Sequence, residues 1–169
     1  MTVYFLGGTM KVKGTLIKVP EDVVSLLKRY ANKRQEHFLT LAISSAQEAI
    51  RIHCITKGLV NKTLIHPREC FYPAIIDNAV AVIFIHNHPS NNINPSNADN
   101  NIAANLMKAG KILGIRVLDF IVIGKNDYLS FRKDEKLKTL WENNNVRYKR
   151  YRNNRQAVQT GKKGERLEY

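Results

Sequence analysis

A chain of 169 residues and 19.3 kDa, 44% of it apolar, is long enough for one packed domain and too apolar for wholesale disorder. Its apolar runs fall short of the roughly 18 residues that cross a bilayer, and MTVYFLGGTMKVKG lacks the basic lead of a signal peptide, so a cytoplasmic setting without a membrane is expected. The net charge of +13 points to polyanionic partners, while Cys54 and Cys70 are too few for a disulfide framework or a Cys-rich zinc module.

Residues 1–18 read as an N-terminal extension or edge strand. Pro20 then opens PEDVVSLLKRYA, with acids first, bases last, and Val23, Leu26, Leu27 and Tyr30 on one stripe, which predicts a helix. EHFLTLAIS (36–44) and AIRIHCITKG (49–58) read as strands. Pro67 suits the first turn of a helix running through FYPAIIDNA, with Pro73 near its beginning or kinking it. VAVIFIH (80–86) is a continuous apolar run, the pattern of a central strand covered on both faces. A helix over 97–112 follows, with Ile102, Leu106 and Ala109 on one side and Gly114 placed to end it. IRVLDFIVIG and DYLSFR read as the last strands, joined by turn chemistry at Lys125-Asn126-Asp127.

This alternation predicts an α/β or α+β domain over residues 19–132, a mixed sheet flanked by helices in three layers. Residues 133–169 read as a basic, partly ordered tail, which beyond Trp141 is Asn-rich and loses the apolar periodicity. From residue 131 onward there are 12 Lys and Arg against 5 Asp and Glu, so the charge excess is concentrated there. RYKRYRNNR interleaves those bases with Tyr148 and Tyr151, which suits contact with DNA or RNA, although a solvated charged terminus explains it equally well.

The stretch HNHPSNNINPSNAD (86–99) carries the chemistry. Residues i and i+2 of a strand share a face, so His86 and His88 present both imidazoles to one side, and Pro89 keeps His88 extended. Asp99 falls in the first turn of the next helix. Two histidines, one carboxylate and an open fourth position form the donor set of a catalytic Zn²⁺ site. The same letters have a purely local explanation, since Ser96-x-x-Asp99 is also a capping box and an acid at a helix N-terminus is favoured without any metal. The two are compatible, because a cap fixes the turn that aims a ligand. The contiguous HNH does not have the spread spacing of the nuclease motif of that name. A nucleotide deaminase is disfavoured, because no P-C-x-x-C follows.

The whole pattern resembles the JAMM metal motif of the JAB/MPN superfamily: an upstream Glu, H-x-H, seven residues, then S-x-x-D. More narrowly, KGLVNKTLIHPREC, NAVAVIFIHNHPS, PSNAD and AGKILGIRVLDFIVIG resemble the RadC family from about Val19 to Arg132. The resemblance implies a JAB/MPN, cytidine-deaminase-like architecture and one zinc held by His86, His88 and Asp99. It further implies Glu36 as the residue that holds the nucleophilic water, and Ser96 as a donor to the developing oxyanion. A metalloprotease or isopeptidase acting on a peptide or protein substrate follows. The alternative is a nucleic-acid-associated module, matching the family's DNA-repair label, in which the metal site is structural or vestigial.

Three features depart from the family pattern HNHPSG-x-P-x-PS. Asn91 stands for the glycine, which Asn tolerates because it enters left-handed backbone more readily than most residues. Ile93 stands for a proline, and loss of the ring's fixed φ should loosen the loop. Leu118-Asp119-Phe120 stands where the family has LDH, removing a polar group from near the expected site. Longer members also carry an N-terminal helix-hairpin-helix region, for which this chain has no room. His66 is expected to start a helix rather than bind metal. His37 and His53 are expected to be structural, and Asp119 is either a support for the site or a satisfied strand acid.

Overall fold

The computed structural model describes residues 8–58 and 65–139. The basic tail from residue 140, with Tyr148 and Tyr151, lies outside the described residues, as do positions 59–64.

Six strands form one mixed sheet in the order β1-β3-β2-β4-β5-β6. They are β1 (Thr9–Leu16), β2 (His37–Ile43), β3 (Glu48–Lys57), β4 (Ala81–Asn87), β5 (Arg116–Ile123) and β6 (Tyr128–Ser130). The helices α1 (Pro20–Ala31), α2 (Pro67–Ile76) and α3 (Asn97–Leu113) come between them, and a further helical turn occupies 135–139. All pairings are antiparallel except β4 with β5, which are parallel because α3 carries the chain back across the sheet between them. The apolar run expected to form a central strand does so. Every residue of β2 and β4 is buried, since each strand has neighbours on both sides and helices above and below.

Alternation along those strands divides the core into two layers. Leu39, Leu41, Ile83 and Ile85 face α1 and pack on Val23 and Leu27. Phe38, Phe84 and Phe120 face the other way and pack on Phe71 of α2 and on Leu106 and Met107 of α3. Two points set how the second layer sits. Gly110 lets α3 lie close, because a Cβ there would stand 2.7 Å from the Ile115 carbonyl oxygen and 3.2 Å from the Phe71 ring. Gly114 then ends α3 at φ +72, the left-handed cap that a glycine adopts without strain. Pro73 falls inside α2 rather than at its start, buried against the core.

Candidate metal centre

β4 delivers the first histidine. His86 is the last residue but one of the buried strand, and the His88 N–H donates to the Ile123 carbonyl at 2.9 Å, continuing the β4–β5 pairing one residue past the strand. The two rings therefore lie on one side, with centroids 4.7 Å apart and planes at 88°. The loop 89–95 returns the chain to α3, whose third residue is Asp99. Its carboxylate lies 3.1 Å from His86 Nδ1 and 3.8 Å from His88 Nε2. One ligand atom from each of His86, His88 and Asp99 falls within 4.8 Å of the others.

The capping box forms as well. Ser96 Oγ accepts from the Asp99 N–H at 3.2 Å, while the Ser96 N–H and hydroxyl each donate to Asp99 Oδ2 at 2.7 Å. Cap and ligand thus coexist, and the cap sets the carboxylate's direction. Burial alone would raise the Asp99 pKa, but hydrogen bonds from His86 and Ser96 outweigh it and hold the group at about 2, ionised and ready to bind a cation.

Glu36 lies just ahead of β2, across from the end of β4. Its Oε2 is 3.6 Å from His86 Nε2, and its side chain is 35% exposed, so solvent reaches the carboxylate while the ring stays buried. Donor chemistry supports a metal here. His86 Nδ1 donates to the Asp99 carboxylate, which leaves Nε2 of the neutral ring as an acceptor. That atom is buried and has no hydrogen-bond partner among the described residues. A buried polar atom without a partner is uncommon and costs stability, and a cation satisfies it directly. The two imidazoles and one carboxylate suit zinc or a similar divalent ion. His86, His88, Asp99, Glu36 and Ser96 all line one open cavity of about 330 Å³.

Comparison with known proteins accords with this geometry. The model of a RadC-like JAB domain matches residues 17–137. The chain belongs to the RadC family. It is 41% identical over 124 residues to a UPF0758 protein of Chlorobaculum tepidum, covering 73% of this chain and 54% of that protein. It is 45% identical over 128 residues to one of Alkaliphilus oremlandii, covering 74% and 54%, and 46% identical over 109 residues to one of Methanospirillum hungatei, covering 64% and 48%. The chain therefore spans about half the length of the curated relatives it matches.

The departures from the RadC loop pattern have a structural counterpart. Asn91 adopts φ +63, the conformation a glycine there would supply, and its Oδ1 accepts from the Lys125 N–H at 2.6 Å. Ile93 packs beside it. Both approach because Gly124 has no side chain; a Cβ there would stand 2.7 Å from Asn91 Oδ1 and 3.1 Å from Ile93 Cγ2. Ile93, whose lack of the proline ring was expected to loosen the loop, lies against the β5–β6 turn at Gly124. The same loop turns the Asn92 carbonyl onto His88 Nδ1 at 2.5 Å, so that ring also keeps Nε2 free for the centre. Phe120, in place of the histidine of LDH, is buried against Phe38 and Phe131.

Asn87 went unnoticed in the sequence. Its buried carboxamide accepts from the His37 N–H at 2.6 Å and donates to the Gln35 carbonyl at 3.1 Å, gripping both flanks of Glu36. The available signal was a polar residue between two ligands on a fully buried strand. It must point away from them, and it needs partners. The remaining residues lie apart from the centre. His66 is the N-cap of α2, and His37 bonds the Gln35 carbonyl. His53 pairs with Asp77 at 2.6 Å, an ion-pair partner contributed by the end of α2, and Arg51 adds a contact at 3.5 Å. Asp119 is the satisfied strand acid: Phe120 N–H, Arg132 N–H and the Ser130 hydroxyl all donate to it, on the α1 side of the sheet.

Proposed function

We propose that this RadC-like JAB domain is a zinc-dependent hydrolase that cuts a peptide or isopeptide bond in a protein or peptide substrate. The supporting observation is the buried, unpartnered His86 Nε2 facing the Glu36 carboxylate at 3.6 Å, inside the cavity that also holds His88, Ser96 and Asp99. A divalent ion held by His86, His88 and Asp99 supplies a lowered pKa for water, from about 15.7 to about 7, and polarises a carbonyl.

The protein's own groups do the rest. Glu36 accepts the proton of a water as its oxygen forms a bond to the carbonyl carbon, and returns that proton to the leaving amine as the C–N bond breaks. Partial exposure lets Glu36 meet both water and substrate. Ser96, in the wall of the same cavity, is the proposed donor to the oxyanion. Its hydroxyl is aimed at Asp99 Oδ2, so it serves that role by turning its single proton toward the substrate.

The test is zinc content and hydrolysis measured together on the wild type and Glu36→Gln. About one zinc per chain in both, with hydrolysis of peptide or isopeptide libraries lost only in the variant, is the expected result. Equal activity in the two proteins removes Glu36 from the reaction.

A second reading is motivated by the charge of the C-terminal stretch, 12 bases against 5 acids from residue 131 onward. In it the chain contacts DNA or RNA through that stretch and the metal centre is structural. Truncation at Trp141 should then weaken retention on nucleic acid and flatten its salt dependence; unchanged retention discards it.

A further inference from the structure

The cavity of the metal centre has a neighbour along α3. A second lobe of about 210 Å³ adjoins it, sharing Ala98 and Ile102, with Ile65 and Pro67 opposite at the start of α2. Ala98, Asn101, Ile102 and Asn105 fall at i, i+3, i+4 and i+7, so a single stripe of α3 runs from the first lobe into the second. Among the described residues no charged side chain lines the second lobe, although the chain as a whole carries +13. Neither the Asn101 nor the Asn105 carboxamide is engaged by another group among the described residues.

We propose that this lobe is the subsite for an uncharged aliphatic residue, carried by an extended peptide next to the bond to be cut. Asn101 and Asn105 pair with that peptide's main chain. Three features favour this occupant over others. The lobe shares Ala98 and Ile102 with the cavity of Glu36 and the metal-binding groups, so a chain laid along α3 across both passes the reacting position. Its volume is below the roughly 300 Å³ at which drug-sized pockets begin, which suits a residue or two rather than a folded partner. Finally, carboxamides four residues apart on a helix stand about 6 Å apart along its axis. Same-side peptide groups of an extended chain recur at about 6.6 Å, so each carboxamide, donor and acceptor at once, meets one of them.

The inference rests on the hydrolytic reading for which bond is cut, but binding is measurable without turnover. Zinc-loaded Glu36→Gln protein is titrated with the acetylated, amidated tetrapeptide Gly-Leu-Gly-Gly, and with the same peptide bearing Asp or Lys in place of Leu. NMR follows the Asn101 and Asn105 side-chain amides. The expected result is a shift of both signals by the leucine peptide, binding about tenfold tighter than either charged peptide, a gap of about one pK unit in Kd. Asn101→Ala with Asn105→Ala, and separately Ala98→Leu to fill the junction, should each abolish that preference while leaving zinc content and fold unchanged. A leucine peptide that leaves the two amides unmoved, or equal affinity for all three peptides, overturns the proposal. The two failures are distinct. Preferential binding at Asn101 and Asn105 without hydrolysis by zinc-loaded wild type defeats the hydrolase reading and keeps the subsite. Hydrolysis indifferent to the aliphatic residue keeps the hydrolase and defeats the subsite.

Discussion

Asn87 and His37 stand fifty positions apart, yet the side-chain oxygen of the first accepts the backbone N–H of the second at 2.6 Å. With its amide nitrogen on the Gln35 carbonyl, Asn87 spans the residue between them, which is Glu36. The strand that carries the histidines thereby fixes where the acid stands. Asn87→Ala is expected to lower hydrolysis about tenfold or more while keeping about one zinc per chain, because the ligands are untouched and only the acid drifts. Its stability should drop by about 1–3 kcal/mol for the unpaired buried backbone groups. Loss of zinc in parallel with activity would show that Asn87 supports the ligands rather than Glu36.

The contact of Asn91 and Ile93 with Gly124 predicts a graded series. Gly124→Ala places a methyl 2.7 Å from Asn91 Oδ1 and displaces the loop, so the Asn92 carbonyl no longer orients His88. Zinc affinity measured by chelator competition should fall roughly 10–100-fold, the usual cost of losing an orienting partner of a ligand. Asn91→Gly keeps the left-handed turn and removes only the hydrogen bond to Lys125, so its loss should be smaller. The reverse order would dismiss the contact as incidental.

Ion binding should be visible in thermal stability. A site formed only in the folded chain contributes about 2.7 kcal/mol when free zinc is about 100 times Kd, and a strong chelator removes it. His88→Ala should unfold at the same temperature with and without zinc. A variant that still gains stability from the ion would place the ion elsewhere.

Asp119 predicts a pH dependence of opposite sign to that of most carboxylates. Burial, the largest influence, raises its pKa from 3.8 to about 6, against the hydrogen bonds of Ser130, Arg132 and Phe120 that lower it. Between about pH 4 and pH 6 the folded chain keeps a proton that the unfolded chain has released, so stability falls as the pH rises through that window. The contribution amounts to roughly 2–3 kcal/mol. Asp99, with its pKa held at about 2, contributes stability that is complete above about pH 4 and is lost only at lower pH. Unfolding free energies of the wild type and Asp119→Asn should therefore diverge by that amount between about pH 4 and pH 7. A pH-independent difference would mean that the carboxyl titrates alike in both states.

Gly110→Ala sets helix propensity against space. The extra methyl favours the helix by about 1 kcal/mol. It also meets the Ile115 carbonyl at 2.7 Å, just ahead of β5, and Val117 Cγ2 at 2.8 Å, within it. Overpacking of this kind costs about 1–3 kcal/mol, so a net destabilisation is expected in denaturant titration. A stabilised variant would show that α3 can lift away from the sheet.

Elements with one strong local cause were legible in the sequence. Pro20 with early acids and late bases marks α1, and the apolar run before His86 marks a strand buried on both faces. The H-x-H and S-x-x-D groups could be read because strand and helix periodicities aim them from neighbouring positions, and the structure brings ligand atoms of His86, His88 and Asp99 within 4.8 Å. Glu36 was different. Nothing in QEHF distinguishes it from any surface acid, and only likeness to a family pointed to it, because its partner His86 arrives by the β2–β4 pairing of distant segments. Asn87, the Asp77 partner of His53 and the seat of Asn91 on Gly124 are contacts between separate elements, and no local pattern names the partner. Pro73 within α2 shows tertiary burial overriding a local breaker.

The parallel pair β4 and β5, with α3 crossing between them, has an evolutionary corollary. Every group that would grip a cation comes from the single β4–loop–α3 passage, 86–99, whereas the acid is donated by another part of the chain. Ancestry can therefore alter the two halves separately. On the proposed hydrolytic reading, one replacement at position 36 would turn a cutting tool into a mute carrier of its ion, with no scar on the scaffold, and a descendant could regain the blade just as cheaply.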